Sequence, residues 1–235
     1  MTMLIAAALF FLLLHLVVAG TRLRDAIVGA IGERPYLGLF SLASLGGIVW
    51  LAYSYNAAMR SGSSVVWDLG PGITHLGIIV VAIAFLFAVT GLLVPNPTAV
   101  MQDAAATREG VVRGILRITR HPFLWGVALW AAFHLLANGD DASIVLFGSL
   151  LVLAVAGTFS IDAKRRRKMG AAWEPFAKAT SNIPFAAIAA GRNSMKFGEL
   201  LDYRLLVAVV VFLAVLFAHP WLFSASPFPG GWSPY

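Results

Sequence analysis

The chain has 235 residues, of which 60% are hydrophobic and only 12% are charged, and its mean hydropathy is +0.84. An average soluble domain has about a quarter charged residues, so this composition excludes a water-soluble globular protein and indicates an integral membrane protein. Cysteine is absent, which excludes disulfide bonds and thiolate metal sites, and the formal charge of +6 suits basic loops facing anionic lipid better than nucleic acid.

Six apolar runs have lengths near that of a membrane-spanning helix, and they predict an all-α bundle that forms one domain over residues 1–235. In chain order the predicted spans are 3–20, 36–55, 73–94, 122–137, 142–160 and 203–223. The first run lacks a basic leader region and a clear cleavage site, so we expect it to be retained as a span. The fourth run is short and begins at Pro122, a residue that suits the first turn of a helix.

The basic residues predict the orientation of these spans. Sixteen of the 17 lysines and arginines fall in or at the edge of the loops after spans one, three and five, and only Arg60 lies on the opposite side. Basic loops face the cytoplasm, so both termini are expected on the non-cytoplasmic side of a bacterial inner membrane.

The loops and the tail carry three further expectations. Residues 97–118 predict a short interfacial helix with apolar and basic sides. The basic run 164–168 predicts an anchor on the membrane surface. The proline-, glycine- and aromatic-rich tail, 227–235, is expected at the outer interface.

The chain has five histidines, and those inside the predicted spans are candidates for function because ionisable side chains are costly there. At about 1.5 Å rise per residue, His75, His134 and His219 share an outer layer, whereas His15 lies closer to the cytoplasmic end. Two imidazoles that bind one metal ion need ring nitrogens about 4 Å apart. On depth alone, His134 therefore pairs best with His75 or His219, and pairing with His15 requires a tilted first helix.

The ligand set favours haem over zinc. The chain lacks both cysteine and an HExxH motif, and its predicted spans contain histidines and many aromatic residues but no carboxylates. A porphyrin needs an apolar slot and imidazole ligands, which these spans can supply. The alternative is that each histidine donates to a backbone carbonyl and only holds helices together. The glycines of the spans, Gly46, Gly47, Gly126 and Gly148, can likewise serve close helix packing or leave room for a ligand.

Several short stretches resemble one family over nearly the whole chain. They are His15, TRLRD at 21–25, GERPY at 32–36, PGITH at 71–75, RITRHP at 117–122, His134, WEPF at 173–176, TSNIPF at 180–185 and AHP at 218–220. Together they resemble the NnrU family of bacterial membrane proteins, whose plant and cyanobacterial relatives include zeta-carotene isomerases.

The resemblance implies two functions. One is a haem b-dependent cis–trans isomerase of a linear polyene, and the other is a non-catalytic membrane factor for nitrite and nitric oxide reductase expression in denitrification. The implied haem ligands fall on His15 and His134, and we expect Arg22 or Arg24 to pair with a propionate. The plant enzymes have a further histidine where this chain has 150–154, Leu-Leu-Val-Leu-Ala, which puts isomerase activity in question. The isomerase function implies an apolar small-molecule substrate. The sequence does not predict the oligomeric state.

A second resemblance concerns the basic side of the predicted bundle. Arg120-His121-Pro122, Asp162, Trp173 and Thr180 also resemble membrane methyltransferases, in which an Arg-His-Pro region helps to bind S-adenosylmethionine. The paired glutamates of that pattern are replaced by Ile161-Asp162, and a helix-start role for His121 is the alternative.

Overall fold

The structure, a computed structural model, describes residues 1–228. Within them the chain is helical and forms no strand, apart from an isolated antiparallel bridge between Val65 and Asp140. The predicted all-helical class is therefore confirmed. Residues 229–235, which carry most of the tail prediction, lie outside the described residues.

Ten α-helices follow one another within these residues. Their bounds are α1 Thr2–Leu13, α2 Arg22–Ile31, α3 Glu33–Arg60, α4 Ile73–Leu93, α5 Ile115–Ile118, α6 Pro122–Asn138, α7 Asp141–Met169, α8 Glu174–Ala179, α9 Ala186–Ala189 and α10 Tyr203–Phe223. A π-helical turn, Leu14–Val18, extends α1, and 3₁₀ turns cover Asp103–Thr107, Gly170–Trp173 and Phe197–Glu199.

Four helices of the described chain, α3, α4, α7 and α10, are long and apolar enough to cross a membrane, so this is a membrane protein. A fifth span results if the bent pair Thr2–Val18 and Arg22–Ile31, whose axes differ by 78°, is one span. The 17 residues of α6 give a length of about 25 Å, which is less than the ~30 Å hydrocarbon core. The count of six spans is therefore not confirmed, and the orientation stays a prediction.

Polar side chains and glycine fix where the helices begin and end. The Asp140 carboxylate accepts a hydrogen bond from Ser143 N at the start of α7, and Thr21 and Asp202 cap α2 and α10 in the same way. Gly139, at φ +60°, allows the tight connection between α6 and α7. These caps set α6 and α7 as an antiparallel hairpin, against which α4 packs.

The structure corrects one expectation for the loops, the interfacial helix, and leaves the membrane-surface anchor a prediction. The helix α7 continues to Met169, so the basic run 164–168 is helical, and Arg165 within it is buried. Cations in the last turn of a helix interact favourably with its dipole, which explains why the run does not end α7. Residues 97–118 do not form one interfacial helix, because Gly110 and Gly114 take positive φ values of +69° and +54° and interrupt it.

The glycines of the spans divide into two groups. A Cβ at Gly126 would come within 2.6 Å of the Ala84 carbonyl oxygen on α4, and a Cβ at Gly47 would meet the Phe10 ring at 3.0 Å. Close helix packing therefore explains these two. Gly46 and Gly148 instead face open space.

Candidate functional site

His134 lies in an aromatic cluster between α6 and α7. Its ring centroid is 4.9 Å from that of Trp130, 5.8 Å from that of Phe133 and 5.1 Å from that of Phe147. The Nδ1 atom lies 2.8 Å from the Trp130 carbonyl oxygen, to which it donates. The Nε2 atom makes no hydrogen bond to any residue in the range 1–228. A carbonyl that holds Nδ1–H leaves the Nε2 lone pair available, which is the arrangement of a metal-ligating imidazole.

His15 occupies the π-helical turn after α1 and has similar surroundings. Its Nδ1 lies 2.8 Å from the Phe11 carbonyl oxygen, and its ring lies between the rings of Phe11 and Phe40. The Nε2 atom is 3.3 Å from the Ser44 hydroxyl on α3. A ligand at this nitrogen would have to displace that hydroxyl. π-helical turns are frequent at functional sites, which keeps His15 a candidate.

The structure does not bring His15 and His134 together. On α7, Phe147 contacts His134, whereas the Ser160 hydroxyl lies 3.4 Å from the Gly20 carbonyl oxygen. Phe147 and Ser160 are about 20 Å apart along the helix. His15 precedes Gly20 by about 7 Å of helix, which leaves the two histidines roughly 12 Å apart in depth. No ring contact or hydrogen bond joins the two side chains within residues 1–228, and the pairing of His15 with His134 on one iron stays a prediction.

His219 of α10 is the histidine that lies near His134. A charge on His219 acts on the His134 ring, although no ring contact or hydrogen bond joins the two side chains within residues 1–228. The His219 Nδ1 atom lies 2.8 Å from the Ala225 carbonyl oxygen. His75, the other partner suggested by depth, is an exposed residue in the first turn of α4.

The arginines proposed for a propionate differ in their surroundings. Arg24 pairs with Glu33 at 3.0 Å and lies 5.4 Å over the ring of Tyr36, whose buried hydroxyl makes no hydrogen bond within the described part of the chain. Arg22 is exposed and forms no ion pair with residues 1–228. Tyr36 stacks on Phe40, which contacts His15, so Arg24 belongs to the His15 site.

No group of three or more histidine, aspartate or glutamate side chains converges on a common point within residues 1–228. Each histidine site therefore offers isolated imidazoles in apolar surroundings. Iron in a porphyrin already has four ring nitrogens and needs only one or two axial ligands. The donor set at His134 fits that requirement, with Nε2 as the axial donor.

A polar network at the basic end, where α6 begins and α7 leaves the predicted membrane region, was not predicted from the sequence. The Arg120 Nε atom lies 3.0 Å from both carboxylate oxygens of Asp162, and His121 Nε2 lies 2.8 Å from one of them. Arg120 also donates to the carbonyl oxygens of Ala177 and Thr180. Burial lowers the pKa of His121 below its usual value, although the nearby carboxylate opposes this effect.

The network gives the Arg-His-Pro motif a role in the fold. Arg120 and His121 both point inward to Asp162, and Pro122 starts α6. The sequence contains Arg120, His121 and Asp162 near the predicted ends of two spans. Because Asp162 lies about 40 residues after the other two, the sequence alone did not predict their contact.

Comparison with known proteins extends over nearly the whole chain. The family model described as NnrU protein matches residues 3–227. Two curated relatives, both named 15-cis-zeta-carotene isomerase, chloroplastic, are similar to the chain. The relative from Arabidopsis thaliana is 30% identical over 93% of this chain and 59% of its own length. The relative from Zea mays is 29% identical over 89% of this chain and 58% of its own length. The chain thus spans less than two thirds of these relatives, and no solved structure matches it.

Proposed function

Because the chain belongs to the NnrU protein family, we propose that it is a carotenoid isomerase-like membrane protein that changes a cis double bond of a linear polyene to trans. The observation that carries this proposal is the similarity to two zeta-carotene isomerases over about nine tenths of the chain. The bacterial inner membrane stays the predicted location. An apolar polyene partitions into lipid, so a site among membrane helices suits its chemistry.

We propose haem b as the cofactor, and His134 would be the residue that binds its iron. The support is geometric: Trp130 holds Nδ1–H, and Nε2 is left without a hydrogen bond among the described residues. His219 is the nearer candidate for a second ligand, and His15 remains a separate single-imidazole candidate with Arg24 and Tyr36 beside it. When bound, haem supplies an iron whose electron density can weaken the double-bond character of an adjacent polyene bond.

The protein residues contribute alignment and exclusion of water. Trp130, Phe133 and Phe147 form an apolar wall beside the His134 ring. On the other side of Phe147, the Tyr55 hydroxyl is bonded to the Ser143 hydroxyl at 3.1 Å, which ties α3 to α7 at this level. Such a wall can hold a flat polyene in one orientation through dispersion contacts. Isomerisation transfers no atom and leaves no net oxidation, so the site needs no general acid.

The experiment is expression in a host that makes a cis linear polyene and has no isomerase of its own. The wild-type chain is expected to convert the cis isomer to trans, as measured by chromatography with absorption detection. His134→Ala should abolish this conversion, and His75→Ala should retain it because His75 is exposed. An unchanged isomer ratio with wild-type protein present in the membrane would overturn the proposed activity.

A further inference from the structure

A cavity lies at the basic end of α4, away from both histidine sites. The last turn of α4 and the segment 95–108 border an open cavity of about 290 Å³. One part of the lining is apolar, with Leu92, Leu93 and Met101, and the other part is polar, with Gln102 and Arg108. An amphiphile with an apolar part and an anionic part matches such a lining.

The mouth of this cavity presents apolar side chains. Of the residues that line the cavity, Leu92 is 64% exposed and Met101 is 83% exposed, and Val100, which precedes Met101 in the chain, is 70% exposed. Met101 also takes a φ of +60°, a conformation that is unfavourable for residues with a Cβ and is kept only where the surrounding structure enforces it. Because α4 is long and apolar enough to cross a membrane and ends at Leu93, we place these side chains at the boundary between hydrocarbon and headgroups.

The charge next to the mouth is positive and unpaired. Arg108 lines the cavity, and Arg113 lines a smaller adjoining cavity that shares Val94 with it. Neither arginine has an ion-pair partner among residues 1–228, and the exposed Glu109 between them pairs with neither. The other nearby carboxylates already have partners. Asp103 pairs with Arg165 and Lys168. Glu199 and Asp202, which line the smaller cavity with Arg113, pair with Arg117 and Arg204.

The segment is held in place by buried groups. The Arg165 guanidinium donates to the carbonyl oxygens of Thr98 and Ala99 and pairs with Asp103. Asn96 and Thr98 side chains both donate to the Arg120 carbonyl oxygen at 3.0 Å. The cavity is therefore formed before any ligand binds, which lowers the entropic cost of binding.

We propose that this cavity, with Arg108 and Arg113, binds one anionic phospholipid. The phosphate group pairs with the two guanidiniums, and an acyl chain runs along Leu92 and Met101 into the bilayer. The cavity volume equals that of about ten water molecules. A cavity of this size has room for a glycerophosphate headgroup but not for the acyl chains. The occupant is thus a membrane lipid whose chains stay outside the cavity.

The test uses the full chain in detergent, freed of lipid and titrated with phosphatidylglycerol or with phosphatidylcholine of the same acyl chains. Native mass spectrometry counts bound lipid. Arg108→Gln/Arg113→Gln is compared with Arg34→Gln, an exposed arginine at the same end that has no ion pair in the described chain. All three arginines are exposed, so we expect both variants to fold, which circular dichroism verifies.

The expected result is preferential binding of phosphatidylglycerol that weakens about fivefold per arginine, or about twenty-fivefold in the double variant, at low ionic strength. Arg34→Gln should bind like wild type. Equal affinity for phosphatidylcholine would overturn the proposal, and so would an equal loss in Arg34→Gln. Displacement of the lipid by a similar concentration of glycerol 1-phosphate would also overturn it, because the site would then take a free phosphate.

Discussion

The substitution Asp162→Asn should strongly destabilise the fold, because it removes the carboxylate at the centre of the polar network at the basic end. Arg120 and Asp162 side chains are 12% and 15% exposed, and the carboxylate also accepts from His121 and Asn182. Breaking a buried pair by neutralising one partner costs about 3–5 kcal/mol. Because the Arg120–Asp162 pair keeps slight solvent access, we expect the lower end, about 3 kcal/mol in the free energy of unfolding.

The measurement is reversible unfolding in mixed micelles, followed by tryptophan fluorescence and circular dichroism. The matched control is Glu174→Gln, which removes the same charge from an exposed ion pair. In that pair Glu174 and Arg166 are 3.3 Å apart, and their side chains are 58% and 61% exposed. An exposed pair contributes about 0–1 kcal/mol, so this variant should unfold almost like wild type. Equal losses for the two variants would refute the view that burial makes the Asp162 network important.

Three further predictions concern pH and packing. Burial lowers the pKa of His121, so as the pH falls this histidine takes up a proton in the unfolded chain before it does in the folded one. The free energy of unfolding should therefore fall as the pH drops below about 6.5. His121→Gln should flatten this part of a plot of unfolding free energy against pH, and an unchanged slope would contradict the prediction. Arg117 lowers the Glu199 pKa to about 2. The ionised Glu199 side chain therefore stabilises the fold fully above the usual pKa of about 4.5, and this stabilisation is lost as the pH falls from about 4.5 to 2. Glu199→Gln should remove this dependence of stability on acid pH. Gly126→Ala should cost about 1–3 kcal/mol by overpacking, whereas Gly148→Ala, which faces open space, should cost little in the same unfolding assay.

Hydropathy predicted the helical class and several helix bounds, because lipid-facing helices must be apolar along most of their length. The predicted span 203–223 coincides with α10, and 73–94 differs from α4 by one residue. The predicted span 142–160 ends nine residues before α7 does. Apolarity marks where a helix leaves the membrane, and a helix of basic residues can continue into water beyond that point.

The candidate site was only partly predictable. Rise per residue estimates how deep a histidine lies but not the direction in which its side chain points, so the exposure of His75 was not anticipated. The contact of Asp162 with Arg120 joins two helices through the packing of the hairpin, which no local pattern encodes. Side-chain direction and long-range pairing come from tertiary structure.

The most direct test of the haem proposal is the absorption spectrum of detergent-purified protein from haem-replete cells, oxidised and reduced. We predict a Soret band with about one haem per chain. The band should be lost in His134→Ala and kept in His75→Ala. A colourless wild-type preparation without iron by elemental analysis, or full haem retention in His134→Ala, would contradict the assignment.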